Sequence, residues 1–80
     1  MDAATVETMV REALQDADVS VEGSGSNYSI TVISDVFADM RAVKRQQTVY
    51  AALSDAIASG SIHAVNIRAV TPAEWEAGGA

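Results

Sequence analysis

The chain is an acidic polypeptide of 80 residues with a formal net charge of −6 and a hydrophobic content of 49%. This length predicts one small domain spanning residues 1–80 with a thin core, since such a chain buries only about 60% of its unfolded surface. The hydrophobic content argues against disorder. The sequence contains no cysteine, so the chain alone supplies no disulfide, no thiolate nucleophile and no cysteine-ligated metal site.

The charge and the hydropathy pattern also restrict location and partners. A net negative charge disfavours general binding to nucleic acid or to anionic membranes, although a local basic patch can outweigh it. No apolar run approaches the ~20 residues needed to span a bilayer, and the N-terminus lacks the basic-then-apolar order of a signal peptide. We therefore expect a cytoplasmic protein that makes no membrane contact.

The first half of the chain predicts a helix and a β-hairpin. Residues 5–16 show helical spacing of apolar side chains, with Asp2 as a candidate N-cap. Residues 19–22 and 28–33 have strand patterns, and the glycine- and serine-rich residues 23–27 between them predict a long, mobile connection.

The second half predicts a helix, a strand and a capped turn. Residues 34–40 look irregular, with Phe37 filling the core. Helical spacing then places Val43, Tyr50, Leu53 and Ile57 on one stripe before Ser59-Gly60-Ser61 ends the helix. Residues 62–70 alternate as a strand, and Thr71-Pro72-Ala73-Glu74 predicts a capping box at a helix start. Residues 77–80 should fray.

The predicted element order is α-β-β-α-β-α. The hairpin makes the first two strands antiparallel, and a right-handed crossover through the second helix makes the last strand parallel to the second. The fold class is therefore α+β: a single domain with a three-stranded mixed sheet and helices packed on one face. The predicted core consists of Leu14, Ile30, Val32, Phe37, Tyr50, Leu53, Ile57, Val65, Ile67 and Trp75.

Three segments together resemble a known family. They are VKRQQTVY at 43–50, IHAV at 62–65 and TPAEW at 71–75, and in combination they resemble the BolA family, especially its short bacterial, IbaG-like branch. The resemblance runs from the first helix to Trp75. It implies a fold similar to class II KH domains, which agrees with the element order obtained above from the residues alone.

The resemblance also implies partners and a cofactor. BolA-like proteins pair with monothiol glutaredoxins and share a 2Fe–2S cluster with the glutaredoxin and its glutathione, so the isolated chain, a monomer or weak dimer, would not bind the cluster. The family histidine at the start of the last strand corresponds to His63, the expected cluster ligand. A second ligand usually comes from the loop between the first two strands, and Asn27 stands where we would look for a histidine. The resemblance thus predicts an adaptor in iron–sulfur or iron homeostasis and stress response.

Each candidate site residue also has an ordinary structural interpretation. A lone histidine at a strand end is commonly packed or solvated rather than a metal ligand. Arg41, Lys44 and Arg45 could bind phosphate, a nucleic acid or an acidic partner, or could form a solvated charged face. Asn27 could equally be a turn residue.

Two other function classes are compatible with the same residues. A KH-like transcriptional regulator would use Arg41, Lys44 and Arg45 to bind nucleic acid, but residues 37–41 lack the Gly-x-x-Gly pair of the KH clamp. An interaction domain without metal would use the same surface. No nucleophile elbow, phosphate loop or second histidine is present, so we expect no enzymatic activity and no catalytic residue.

Overall fold

The computed structural model describes residues 2–78, and residues 79–80 of the predicted frayed tail lie outside that range. The elements in chain order are α1 (Ala3–Ala13), β1 (Asp18–Ser24), β2 (Asn27–Ile33), a 3₁₀ helix (Asp35–Asp39), α2 (Ala42–Ala52), α3 (Ser54–Ala58), β3 (Ala64–Val70) and α4 (Pro72–Glu76). Ala77 and Gly78 close α4 by donating to the carbonyls of Ala73 and Trp75. The longest helices have eleven residues, and no described helix is long and apolar enough to cross a membrane.

The three strands form one mixed sheet in the order β1-β2-β3. β1 and β2 are antiparallel with Val21 opposite Ile30, and β2 and β3 are parallel with Ile30 opposite Ile67. Because side chains alternate along a strand, one face carries Val19, Val21, Tyr28, Ile30, Val32, Val65, Ile67 and Ala69, and the other is mostly polar, with Ile33 and Val70 at one end. The predicted mixed sheet is confirmed, with α1 packed on β1 and α2 on β3.

The core lies between the apolar face of the sheet and the helices. Its fully buried side chains are Val6 and Val10 of α1, Ile30 and Val32 of β2, Phe37, Val49 and Leu53. Phe37 was predicted to fill the core, and it is 0% exposed. Leu14, Ile57, Val65 and Ile67 were predicted to be buried and are partly buried against this cluster.

Two predicted core residues are wrong. Tyr50 is 47% exposed and Trp75 is 45% exposed. The predicted single helix is broken at Leu53 into α2 and α3, and the helix is turned so that Val49 and Leu53, four residues apart, face the sheet. Tyr50 lies about 100° around the helix from Val49, which leaves it at the surface. Trp75 lies in a helix of only five residues, α4, and lines a shallow cleft rather than the core.

The hairpin is tighter than predicted. The strands extend to Ser24 and Asn27, so the turn has only Gly25 and Ser26 at its centre. Gly25 has a φ of +65°, as the first position of a type II′ turn requires. The predicted long, mobile connection is therefore a two-residue turn.

Helix α1 begins as predicted. The carboxylate of Asp2 accepts a hydrogen bond from the backbone N–H of Thr5 at 2.8 Å, and this N-cap lowers the pKa of Asp2. Val6 and Val10 then fall on one face, one turn apart, and are completely buried. The cap and the apolar spacing together fix α1 against the sheet.

Candidate functional site

His63 lies immediately before β3 and is held there by its backbone. Its N–H donates to the carbonyl of Ser26 at 2.8 Å, and the N–H of Ala64 donates to the same oxygen at 3.1 Å. The hairpin turn that supplies this carbonyl is itself held in place, because the Tyr28 hydroxyl donates to the carbonyl of Gly25 at 2.8 Å. The backbone of His63 is therefore attached to a short, internally bonded hairpin tip.

The imidazole of His63 is exposed. It makes no hydrogen bond and no ion pair with any residue between 2 and 78, and its Nε2 lies 3.7 Å from the position that a Cβ on Gly60 would occupy. The ring therefore lies beside Gly60, at ordinary van der Waals distance from where a Cβ would be. An imidazole with a fixed backbone and unused nitrogens can serve as a metal ligand supplied to another protein.

Asn27 lies close to His63 along the backbone but projects elsewhere. Its Cα is paired with that of Ala64 across the β2–β3 ladder, and its side chain lines a shallow cleft on the polar face of the sheet together with Glu22 and Asn66. No hydrogen bond joins Asn27 to the imidazole among the described residues. The structure therefore brings the two backbones together without a hydrogen bond between the two side chains.

The three cations predicted as one binding surface have different environments. Arg45 donates to the carbonyls of Met40 at 3.1 Å and Ala69 at 3.2 Å, and forms a two-fold contact with the Glu74 carboxylate at 2.7 and 3.2 Å. Its side chain is only 16% exposed. Arg41 and Lys44 are exposed and form no ion pair with the rest of the described chain. Arg45 thus fastens α2 to β3 and α4, and the accessible cations of this segment are Arg41 and Lys44.

Glu74 connects the end of β3 to α2. Its carboxylate accepts from Arg45 and also from the backbone N–H of Thr71 at 2.9 Å, while Thr71 accepts from the N–H of Glu74 at 3.2 Å. The capping box predicted from the sequence is thereby confirmed. The Arg45 guanidinium, and then the Thr71 amide, lower the pKa of Glu74, because both stabilise the charged carboxylate.

The outer edge of β3 carries a feature that the sequence did not reveal. The Gln46 side chain donates to the carbonyl of Ile67 at 2.7 Å, next to the bond from Arg45 to the carbonyl of Ala69. Two neighbouring residues of α2 therefore occupy two successive outward carbonyls of this edge strand. Residue type gave no sign of these contacts, because they join positions 21 and 24 residues apart.

The donor set limits what this chain can do with a metal. Within residues 2–78, no group of three or more histidine, cysteine, aspartate or glutamate side chains could hold a metal ion. A single imidazole cannot hold an iron–sulfur cluster, which needs four ligands and normally takes thiolates. His63 is consistent with one shared ligand, provided that a partner supplies the others.

Known proteins resemble this chain over nearly its whole length. The sequence model of the BolA-like protein family matches residues 4–74. The acid stress protein IbaG of Escherichia coli strain K12 is 43% identical over 70 residues, which cover 88% of this chain and 83% of that protein. An uncharacterized protein from the rpoN-murA intergenic region of Acinetobacter guillouiae is 40% identical over 75 residues, covering 94% and 90% of the two chains.

Solved structures resemble the fold as well. A BolA protein homologue from Coxiella burnetii superimposes with a TM-score of 0.84 at 28% identity, covering 95% of this chain and 97% of that one. The solution structure of BolA1 from Mus musculus gives a TM-score of 0.80 at 28% identity, covering 95% of this chain and 69% of that one. The sheet and helices described above are therefore an arrangement that these proteins share.

Proposed function

The chain belongs to the BolA-like family, and on this premise we propose that it is a non-enzymatic adaptor that pairs with a monothiol glutaredoxin. In that complex His63 provides one ligand to a 2Fe–2S cluster shared with the glutaredoxin and its glutathione. The cluster is cargo, stored or passed on in iron–sulfur or iron homeostasis. The adaptor acts in the cytoplasm under stress, a role consistent with the name of its relative, the acid stress protein IbaG.

The observation that carries the proposal is the state of His63. The imidazole is exposed and has no partner among the described residues, while its backbone is held by the Ser26 carbonyl. Imidazole replaces thiolate on one iron of Rieske-type centres, so it is a suitable iron ligand. Because this chain contains no cysteine, every thiolate must come from outside. These properties favour a heterocomplex over a cluster bound by this chain alone.

Asn27 does not enter this proposal as an iron ligand. Its amide oxygen is a poor donor to iron, and its side chain lies on the polar face of the sheet beside Glu22 and Asn66. We propose instead that His63 is the single ligand from this chain. A thiol or a solvent molecule then completes the coordination that a second histidine would otherwise provide.

The test is spectroscopic. The chain is mixed with a monothiol glutaredoxin, glutathione, iron and sulfide, and the visible absorption and circular dichroism are compared with those of the cluster-bridged glutaredoxin homodimer. We expect a new spectrum with the wild-type chain and the homodimer spectrum with His63→Ala. Asn66→Ala is the matched control, because Asn66 is an exposed polar residue of β3, the strand that follows His63.

Three outcomes separate the alternatives. A new spectrum that survives His63→Ala would exclude the imidazole as ligand. Binding of the glutaredoxin without iron, and with no new spectrum when iron is present, would favour an interaction domain that uses no metal. The absence of any complex would refute the proposal as a whole.

A second candidate is a KH-like nucleic-acid-binding transcriptional regulator. Exposed Arg41 and Lys44 are the observation in its favour, whereas Arg45 is already bonded to Glu74 and residues 35–39 form a 3₁₀ helix rather than a Gly-x-x-Gly loop. This function predicts binding to DNA or RNA that weakens steeply with salt and with Arg41→Glu or Lys44→Glu. No mobility shift at low salt would rule it out.

A further inference from the structure

The turn between β1 and β2 contains one peptide unit that the strand ladder does not fix. The ladder ends with Ser24 opposite Asn27, so the peptide between Gly25 and Ser26 lies beyond its hydrogen bonds. Gly25 has a φ of +65°, and within residues 2–78 only glycines have a positive φ. Ser26 therefore has a negative φ, which agrees with the second position of a type II′ turn.

A side chain anchored in the core holds this central peptide. Tyr28 is 2% exposed and belongs to the buried core cluster, and its hydroxyl donates to the carbonyl of Gly25 at 2.8 Å. The bond reaches from the buried end of β2 to the tip of the hairpin. Because glycine gives the backbone more freedom than any other residue, the tip depends on this bond for its rigidity.

The next peptide unit of the same turn holds His63. The Ser26 carbonyl accepts from the N–H of His63 at 2.8 Å and from the N–H of Ala64 at 3.1 Å. The peptide fixed by Tyr28 and the peptide that bonds to His63 meet at the Cα of Ser26. Motion of the first about this Cα therefore reaches the second, and loosens the carbonyl to which the histidine backbone is attached.

The chain before His63 is held separately. Ile62 is 2% exposed, and its N–H donates to the carbonyl of Ala56 at 3.3 Å. This anchor involves α3 and not the hairpin. Loss of the Tyr28 hydroxyl should therefore weaken the contact between His63 and the turn without releasing the whole segment from the core.

We propose that Tyr28 is a positioning residue for the cluster ligand, because its hydroxyl fixes the hairpin tip and the tip fixes the backbone that presents the His63 imidazole. The inference rests on the proposed function and deepens it. Tyr28 acts through Gly25 and Ser26. A ligand that is already ordered loses less conformational freedom when it binds, so the hydroxyl should strengthen the cluster-loaded complex and leave iron-free association unchanged.

Backbone amide exchange tests the first step on the free chain. Tyr28→Phe removes the hydroxyl and keeps the ring. One net hydrogen bond corresponds to about two- to twelvefold in a local opening equilibrium, so the amides of His63 and Ala64 should exchange about three- to tenfold faster. Val49, which is completely buried in α2, is the internal control for global stability. If the amides of His63 and Ala64 accelerate no more than that of Val49, the proposal is overturned.

A matched variant controls for the loss of a hydroxyl as such. The chain has two tyrosines, and Tyr50 is 47% exposed on α2. Tyr50→Phe should leave the exchange of the His63 and Ala64 amides unchanged. Incorporation of 4-aminophenylalanine at position 28 restores a hydrogen-bond donor at the end of the ring, and should return their exchange towards the wild-type rate. Failure of this rescue would contradict the role of the bond to Gly25.

The complex tests the second step. A chelator is added to the cluster-loaded complex with monothiol glutaredoxin and glutathione, and the decay of its circular dichroism is followed. The loss of one hydrogen bond should make the decay about three- to tenfold faster in Tyr28→Phe, while the affinity for iron-free glutaredoxin stays within about twofold of wild type. Equal weakening of both would indicate a general structural role and overturn the positioning role.

The outcomes separate this inference from the function on which it rests. A His63-dependent spectrum that decays at the wild-type rate in Tyr28→Phe would refute the positioning role and leave the shared cluster standing. Faster decay together with unchanged iron-free binding would support the positioning role. A chain that forms no complex with glutaredoxin under any condition would refute the proposed function, and with it the role of Tyr28, even if the exchange of the His63 amide responds as expected.

Discussion

Replacing Gly23 with alanine should destabilise the domain much more than the same change at Gly25, two residues further on. Both glycines have positive φ, +129° and +65°. A Cβ on Gly23 would collide with the carbonyl oxygen of Asn27 and lie 3.0 Å from the Cα of Tyr28, whereas a Cβ on Gly25 would meet nothing within 4 Å. Gly25→Ala therefore tests the dihedral angle alone, and Gly23→Ala tests the dihedral angle together with the close approach of the two strands.

The expected magnitudes follow from this difference. A left-handed alanine at Gly25 costs roughly 1–2 kcal/mol. At Gly23 the sparsely populated dihedral costs about 1–3 kcal/mol, and displacement of the β2 backbone adds about 1–3 kcal/mol, so the total loss is about 4 kcal/mol. A domain of this size has a free energy of unfolding of about 4–12 kcal/mol, so Gly23→Ala removes a large part of it.

Urea denaturation followed by far-ultraviolet circular dichroism measures both losses, with equal m-values as evidence that the unfolding reaction itself is unchanged. Near the midpoint, 1 kcal/mol corresponds to about 4–8 °C in Tm for a small domain. Gly25→Ala should therefore lower Tm by roughly 4–16 °C, and Gly23→Ala by at least twice as much as Gly25→Ala. Equal losses in the two variants would refute the contact between Gly23 and Asn27.

Three further predictions concern other parts of the chain. Leu53→Ala should lower the free energy of unfolding by about 2–5 kcal/mol in urea titrations, because Leu53 is completely buried; a loss below about 1 kcal/mol would contradict this packing. Glu74 has a pKa lowered from its ordinary 4.5 by Arg45, so its stabilisation is complete above pH 4.5 and is lost as the pH falls through the lowered value. Glu74→Gln should flatten that acid decline of Tm, and Glu76→Gln should not. His63→Ala should change the free energy of unfolding by less than about 0.5 kcal/mol in the same titrations, since the ring is exposed; a larger loss would mean that it packs.

The elements that are determined by neighbouring residues could be predicted from the sequence. The strand β3 follows from alternation over seven residues, and the capping box of Thr71 and Glu74 follows from residues three apart. The pairing of the strands was also predictable, because a short hairpin enforces antiparallel pairing and a helical crossover enforces parallel pairing. The exposure of His63 was also predictable from its neighbours, because it lies at the end of a strand beside a glycine-containing turn.

The errors concern features that depend on contacts between residues far apart in the sequence. Helical periodicity defines a stripe, but only the sheet determines which stripe of α2 is buried, and it selects Val49 and Leu53 instead of Tyr50. The break at Leu53 between α2 and α3 also changes which residues are buried, because the apolar stripe predicted for one continuous helix does not keep its direction past the break. Composition made the hairpin connection look mobile, whereas the Tyr28 hydroxyl and the parallel strand hold the tip.

The sequence indicated which residues to consider for the candidate site, but not how their side chains are arranged. His63 is accessible as expected, but Asn27 faces the polar side of the sheet and Arg45 bonds to Glu74, 29 residues away. A single sequence contains no signal for such a pair, because neither residue type nor spacing reveals which charges meet. The glutamate of the capping box was recognised, but its second bond partner was not.

The attachment of His63 to the Ser26 carbonyl has a consequence for the order of folding. The β1–β2 hairpin closes between neighbouring segments, whereas the contact between positions 26 and 63 closes a loop of more than thirty residues and carries a larger entropic cost. A nascent or truncated chain that lacks β3 can form the hairpin but cannot fix the histidine beside it. The correctly positioned imidazole is therefore a property of the completed domain.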